Sequence, residues 1–253
     1  MRAWLFILVL PGPMLPYVKK IVVLTGAGIS AESGVPVFRG PDGLWHGRRV
    51  EEVATHEALC RDPWGVNAFF NGLRQFVEKV EPNPAHRALK KLEDVYGNDL
   101  LVVTQNVDPL HKRAGSKNLL PMHGELQSVL CDACGKRHPF LEDVLEKTPC
   151  PLCRKSGVLR PDIVLFNEMP YFMDDIYKAL MSCDAFIAVG TSGFVYPAAG
   201  FVDIAAHAGA YAIEVNLAET QRSPAFHEKR TGPAGKTLPL LVDELIEKRE
   251  ASG

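Results

Sequence analysis

Apolar residues fall in short unbroken runs at residues 21–24, 100–103, 185–189 and 211–215, each rich in β-favouring side chains. Unbroken apolarity of that length suits strands covered on both faces, hence a parallel sheet. Between the runs the period lengthens. Residues 83–92 place Ala85, Ala88, Leu89 and Leu92 on one face at helical spacing. Residues 176–181, 198–207 and 238–248 repeat the pattern, the last grouping Leu241, Leu245 and Ile246. Strands alternating with helices predict an α/β fold, a doubly wound Rossmann-like parallel sheet. Two stretches break the rhythm. Residues 46–75 read as helical pieces without a strand, and 126–162 have little apolar periodicity. Both read as insertions that build a smaller second domain. The expected boundaries are 17–45, 76–125 and 163–253 for the sheet domain, and 46–75 with 126–162 for the small domain, helical in its first part and cysteine-bearing in its second. Residues 4–10 are an apolar run after Arg2, but prolines rather than a small-x-small cleavage site follow. Residues 1–16 are therefore expected to be an extension outside the fold.

Polar, small or Gly-rich residues follow each strand, at the edge where open parallel sheets bind ligands. The first such segment is Gly26-x-Gly28-x-x-Ala31, a dinucleotide fingerprint expected to open a helix. In this reading Gly26 allows the tight turn and Gly28 lets backbone N–H groups approach a pyrophosphate. A dehydrogenase would carry an acidic residue about 20 residues further on to hold the ribose. Here that region is a loop punctuated by Gly34, Pro36, Gly40, Pro41 and Gly43. The segment points to a dinucleotide site and away from hydride transfer. The other strand ends carry Gln105, Asn106, Val107 and Asp108, then Gly190, Thr191 and Ser192, then Asn216, Leu217 and Ala218. His123 follows a further apolar pair at the same edge and is a candidate proton acceptor near neutral pH.

The chain of 253 residues is 47% hydrophobic and 23% charged, with a net charge of −2. This composition excludes a disordered chain and a basic nucleic-acid footprint, so no direct nucleic-acid binding is expected. No apolar run reaches the length of a membrane span. Four of the six cysteines form Cys131-x2-Cys134-x15-Cys150-x2-Cys153, two knuckles with tetrahedral zinc spacing. Four thiolates leave no open position, so the zinc would be structural. Metal-type cysteines also point to a reducing, cytoplasmic compartment. Cys60 and Cys183 stand alone and read as buried apolar residues. The oligomeric state is not legible, and a monomer is consistent with the sequence.

Together these segments resemble the sirtuin family of NAD+-dependent protein-lysine deacylases. The resemblance rests on Gly26 through Ser30, Glu32 through Arg39, Thr104 through Asp108, Leu110-His111, His123-Gly124, the four cysteines, Arg160 through Phe166, Gly190 through Ser192 and Tyr196 through Ala199. It covers roughly residues 17–249. Gly193, Ala198 through Phe201 and Gly232 through Ala234 look most like the bacterial and archaeal branch that includes a mitochondrial desuccinylase.

The resemblance implies NAD+ as cosubstrate, held by Gly26, Ala27, Gly28, Ile29, Glu32, Phe38, Arg39 and Trp45. It implies the same of Gln105, Asn106, Val107, Asp108, Gly190, Thr191, Ser192, Asn216, Leu217, Ala218 and Ala234. His123, Asn106, Asp108 and Arg39 would be catalytic, His123 as general base for a ribose hydroxyl. The products would be nicotinamide, free lysine and O-acyl-ADP-ribose. An acyl-lysine protein or peptide would lie between the domains, pairing as a strand with residues 163–168 and near residues 193–195. Substrate contacts fall on Ile163, Val164, Phe166, Asn167, Glu168 and Val195, and on Phe70 and Leu73.

Three positions depart from the family. Asn167 stands where a glycine is usual, and a side chain there is expected to narrow or shift the groove. Pro109 follows Asp108 and restricts its backbone. Phe70 and Leu73 replace the Tyr-x-x-Arg pair that binds the distal carboxylate of succinyl-lysine. A buried carboxylate without a cation is costly, so neutral acyl groups are expected to be preferred. Two other readings are a protein mono-ADP-ribosyltransferase and a non-catalytic NAD- or zinc-dependent binding module. Arg39, Asn106, Asp108 and His123 together favour deacylation.

Overall fold

The computed structural model describes residues 15–37, 44–45 and 48–252. In chain order its first elements are β1 (Ile21–Thr25), β2 (Leu44–Trp45), β3 (Arg48–Arg49), α1 (Val50–Val53), α2 (His56–Arg61), α3 (Pro63–Val77) and α4 (Pro84–Tyr96). Then follow β4 (Leu100–Thr104), α5 (Leu110–Arg113), β5 (Leu119–Pro121), β6 (Gly124–Cys131), β7 (Arg137–Pro139) and β8 (Leu159–Ile163). The chain closes with α6 (Met173–Leu180), β9 (Ala185–Val189), α7 (Phe201–His207), β10 (Tyr211–Asn216), β11 (Glu228–Thr231) and α8 (Ala234–Ala251).

Six strands form one parallel sheet in the order β11-β10-β9-β1-β4-β5. Alternate side chains of the central strands enter two different cores. Val23, Val102, Ile187 and Ile213 pack against Leu89 and Leu92 of α4 and Leu238 and Leu241 of α8. Val22, Val103, Phe186 and Ala212 pack against Ile176 of α6 and Phe201 of α7. Burial on both faces explains the unbroken apolar runs. Strand order reverses at β1, which has β9 on one side and β4 on the other. A crevice opens at such a switch point beyond the carboxyl ends of the strands.

Both insertions leave the chain beside this crevice. The second folds as an antiparallel sheet in the order β7-β6-β8. On it packs α3, whose Val66, Phe70, Leu73 and Val77 meet Leu126, Ile163 and Leu165. Asp62 caps α3 by accepting from Gly65 N at 2.8 Å, and Pro63 occupies its first turn. A separate small core, Val129, Val144 and Leu159, surrounds Cys131 and Cys150.

Several expectations are corrected. The fingerprint does not open an α-helix. Two 3-10 turns, Ala27–Ile29 and Ala31–Ser33, follow β1, and Gly34 closes the second at φ +87°. The stretch 46–75 is not free of strand, because Arg48 and Arg49 pair with β2. Leu15, assigned to the extension, is 5% exposed and packs in the core beside Val18, so ordered structure reaches back past residue 17. Residues 1–14 lie outside the described residues. Cys60 is exposed on α2 with His56 Nε2 at 3.4 Å, whereas Cys183 is buried as expected. Among the described residues, no helix is long and apolar enough to cross a membrane.

Candidate functional site

A cleft of about 630 Å3 lies between the strand ends and the inserted elements. One wall is polar and comes from the parallel sheet: Gly26, Ala27, Gly28, Gln105, Asn106, Asp108, Thr191, Ser192 and Asn216. The other is mainly apolar: Leu73, Phe76 and Val77 of α3, Leu126 of β6, Ile163 of β8, and Val164, Leu165 and Phe166 beyond it. His123 sits where they meet. Val107, Asn167, Glu168, Gly190, Val195, Leu217 and Ala218 complete the expected set that lines this space. No lysine or arginine lines it among the described residues.

The tight turn expected at Gly26 is present, and both glycines also join two strand ends. The N–H groups of Gly26 and Gly28 donate to Val189 O at 3.0 Å and Gly190 O at 2.8 Å. A Cβ on Gly28 would lie 2.7 Å from the Gly190 Cα, so this turn closes only on bare backbone. The two glycines thus lock the end of β1 to the end of β9 rather than offering their own donors to an anion.

Four expected contacts lie away from the cleft. Ile29 is fully buried in the sheet core. Glu32 reaches the other way, its carboxylate accepting from Gly235 N at 2.7 Å in the first turn of α8, where a negative charge is stabilised. Ala234 is buried beneath that same helix start. Phe70 is 0% exposed behind Leu73, held in the small apolar core against Phe69. Phe76 and Val77, not singled out in the sequence, stand on the wall instead. Phe38, Arg39 and the Trp45 side chain lie outside the described residues.

A buried hydrogen-bond chain stands behind the polar wall. His86 closes the capping box of α4, its Nδ1 accepting from Asn83 N at 3.4 Å. Its Nε2 therefore carries the proton and faces Ser30 Oγ at 3.4 Å. Ser30 donates to Asp108 Oδ2 at 2.9 Å and accepts from Asn106 Nδ2 at 3.1 Å. Asn106 Nδ2 also donates to Gly26 O, and the backbone N–H of Asn106 to Thr104 Oγ1. Burial raises the Asp108 carboxyl pKa, opposed by bonds from Leu110 N and Ser30. Next to His86, His111 sits with ring centres 4.9 Å apart and Nε2 3.0 Å from Thr25 Oγ1. Burial pushes the His86 pKa down to about 4 and that of His111 to about 3, so both rings are neutral. Ser30 and His86 escaped the sequence reading. The Asn83-Pro84-x-His86 start of the helix was the available signal.

Pro109 fits without disturbance. It precedes the first turn of α5, where no N–H is needed, and Asp108 Oδ1 accepts from Leu110 N at 3.0 Å. Asn167 has φ +73° in a turn closed by Glu168 N donating to Leu165 O at 3.0 Å. That left-handed conformation explains why glycine suits the position and why asparagine, the most tolerant of the others, can replace it.

His123 donates Nδ1–H to Gln105 O at 3.0 Å, which leaves Nε2 as the ring's base. Burial lowers its pKa and the Gln105 bond raises it, with burial the larger effect. A neutral ring able to accept a proton results.

The four cysteines converge on one another at the end of β6 and in the loops beyond it. All four Sγ atoms lie within 4.8 Å of one another, with Cys131–Cys153 at 3.7 Å and Cys134–Cys150 at 3.9 Å. Tetrahedral zinc with Zn–S bonds of about 2.3 Å places sulfurs about 3.8 Å apart. The cluster fits that ion, and His138 Nε2 lies 3.8 Å from Cys150 Sγ outside it.

Comparison with known proteins gives a consistent result. The Sir2 family profile matches residues 26–197. The chain is 52% identical to an NAD-dependent protein deacylase of Bdellovibrio bacteriovorus over 90% of its own length and 97% of the relative's. It is 49% identical to an NAD-dependent protein deacylase of Escherichia coli, covering 92% and 84%. A crystal structure of a Sir2 homologue–NAD complex superposes with a TM-score of 0.82 at 37% identity, covering 93% of this chain and 91% of that one. The structure of Sir2Af2 bound to a myristoylated histone peptide gives 0.71 at 35% identity, covering 92% and 94%.

Proposed function

Because this chain belongs to the Sir2 family, we propose that it is an NAD+-dependent protein-lysine deacylase that favours neutral acyl groups over dicarboxylic ones. The observation that carries this reading is the division of the cleft: a neutral histidine between a polar wall and an apolar wall that has no cation among the described residues.

NAD+ fits the polar wall, where Asn106, Asp108, Thr191 and Asn216 present side-chain donors and acceptors around the fingerprint turn. When bound it supplies an anomeric carbon made electron-poor as nicotinamide leaves. Asn106 is held at its amide by Gly26 O and Ser30, and Asp108 by Ser30 and Leu110 N. Both can therefore orient the nicotinamide ribose without reorganising. The acyl-lysine side chain enters from the apolar wall, with its carbonyl oxygen toward the ribose. His123, its Nδ1–H fixed on Gln105, takes a ribose hydroxyl proton at Nε2. One water is consumed as the acyl–nitrogen bond breaks, so lysine leaves as the free amine and the acyl group stays on a ribose oxygen of ADP-ribose. The tetracysteine cluster would hold zinc as a structural ion that ties the β-ribbon together.

The peptide would lie in the groove between residues 165–168 and 193–195. One edge of that stretch is already paired, Val164 N donating to His123 O and Phe166 N to Ala54 O. On the other edge Leu165 N donates to the Glu168 carboxylate at 2.9 Å. Peptide pairing therefore falls on the Asn167–Glu168 side of the turn rather than along the whole segment.

An acidic acyl group would bring its carboxylate among Leu73, Phe76, Val77 and Leu126 with no counter-charge among the described residues. Leaving such a group unpaired costs at least about 1–3 kcal/mol, or about a hundredfold in kcat/KM at the upper end. The test compares matched acetyl-, butyryl- and succinyl-lysine peptides with NAD+, scoring nicotinamide, free lysine and O-acyl-ADP-ribose. A higher kcat/KM for succinyl refutes the acyl preference. ADP-ribose transfer to protein without lysine release refutes deacylation.

A further inference from the structure

We propose that Arg160 is a positioning residue for the substrate groove, clamping the turn of residues 165–168 from the floor of the small domain. This rests on the reading of the cleft as a peptide groove. Arg160 lies on β8 with its side chain only 11% exposed. Its Nη2 donates to Glu168 Oε1 at 3.0 Å and Oε2 at 3.3 Å, and Nη1 reaches Oε2 at 3.4 Å. Planar, two-pronged contact of this kind fixes the carboxylate in direction as well as in place.

What the carboxylate does next gives the clamp its purpose. Glu168 Oε2 accepts from Leu165 N at 2.9 Å, and Glu168 N donates to Leu165 O at 3.0 Å. The turn is thus closed at one end by backbone and at the other by a side chain that Arg160 aims. Between these two bonds stand Phe166 and Asn167, both on the cleft wall. Asn167 holds φ +73°, a conformation that L-residues adopt only where their surroundings impose it. Without the guanidinium, the half-buried Glu168 would turn toward water, Leu165 N would lose its acceptor, and the turn would relax away from the groove.

The clamp has a second, weaker leg. Arg160 Nε lies 3.5 Å from Asp132 Oδ1, and Asp132 directly follows the zinc-type ligand Cys131. Asp132 N in turn donates to Val158 O at 2.9 Å, one strand position before β8 begins. The guanidinium therefore spans from the cysteine knuckle to the substrate turn. Asp132 is 61% exposed, so solvent screens this leg and the Glu168 leg dominates.

Isolated exposed ion pairs contribute little, so the experiment must separate a clamp from an ordinary surface contact. Arg160→Met, Arg160→Lys, Asp132→Asn and the parent enzyme would be compared. Each is titrated against a fluorescent acetyl-lysine peptide by anisotropy, and steady-state kinetics follow. Arg160→Met is expected to weaken peptide binding and raise peptide KM by about tenfold, equivalent to about 1.4 kcal/mol. The KM for NAD+ and kcat should stay within about twofold, and zinc content should remain unchanged. Arg160→Lys, which keeps the charge and loses the fork, should recover part of the loss. Asp132→Asn should cost less than about threefold.

Peptide KM within about twofold of the parent in Arg160→Met overturns the proposal, as does a parallel rise in the KM for NAD+. An Asp132→Asn effect equal to that of Arg160→Met also overturns it, because the knuckle and not the turn would then carry the coupling. Failure of the parent enzyme itself to bind any acyl-peptide or release nicotinamide would instead overturn the deacylase reading, and the clamp with it.

Discussion

Acidification should unfold this protein through two rings that do not line the cleft. His86 and His111 are buried side by side and neutral, with pKa values pushed down to about 4 and about 3 from an ordinary 6.5. A group whose native pKa is depressed binds protons better when the chain is unfolded. Its contribution to stability is complete above pH 6.5 and is lost as the pH falls through 6.5 toward 4 for His86 and 3 for His111. At pH 5 an unfolded-chain histidine lies about 1.5 units below its pKa, which stabilises the unfolded state by about 2 kcal/mol per ring. Two rings give about 4 kcal/mol, a large part of a typical domain stability of about 5–15 kcal/mol. Urea denaturation at pH 7.5, 6 and 5 with saturating zinc measures the slope. His86→Gln and His111→Gln should each flatten it by about 2 kcal/mol between pH 7.5 and 5. Carboxylates and zinc thiolates titrate in parent and variants alike, so the difference isolates the rings. A parent stability that changes by less than about 1 kcal/mol, or variants with the parental slope, would show that these rings are already charged or accessible in the folded protein.

Three other outcomes follow from the site. His123→Ala should abolish lysine release while NAD+ binding by calorimetry changes little, and parental kcat/KM should fall on acidification only below pH 6.5, because burial lowers the His123 pKa; an acid limb above 6.5 contradicts the assignment. Asn167→Gly should leave the melting temperature unchanged or raised, whereas Asn167→Val should lose about 1–2 kcal/mol from its φ of +73°; equal stability of the two variants refutes the strain argument. A strong zinc chelator should lower the melting temperature and abolish peptide binding together, with zinc but not magnesium restoring both; retention of peptide binding in fully stripped protein would detach the cysteine cluster from the groove.

The central strands were legible because burial on both faces forces unbroken apolarity, and β9 matches its run at residues 185–189. The edge strand β11 was not, since it carries Glu228-Lys229-Arg230-Thr231 and alternates half-buried with exposed positions. The cysteine knuckles were legible because thiolate chemistry needs fixed spacing. The roles of Glu32 and Phe70 were not. Both lie three positions from a cleft residue, Val35 and Leu73 respectively, but Glu32 turns toward α8 and Phe70 packs behind Leu73. Motif position says which backbone approaches a site, and only packing says which way each side chain faces. Buried polar pairs such as Ser30 with His86 are 56 residues apart and join through the fold alone.

The reversal of strand order at β1 separates two kinds of inheritance. The residues on the polar wall hang from the ends of β1, β4, β9 and β10, where the neighbouring strands dictate each position. Leu73, Phe76 and Val77 hang instead from a helix inserted between β1 and β4, whose far side faces a different core. On the proposed reading, substitutions on that helix would exchange one acyl preference for another while the sheet keeps its register. Leu73 lies on that helix, so under the proposed preference for neutral acyl groups the specificity would be written in the insertion and the common chemistry left in the sheet.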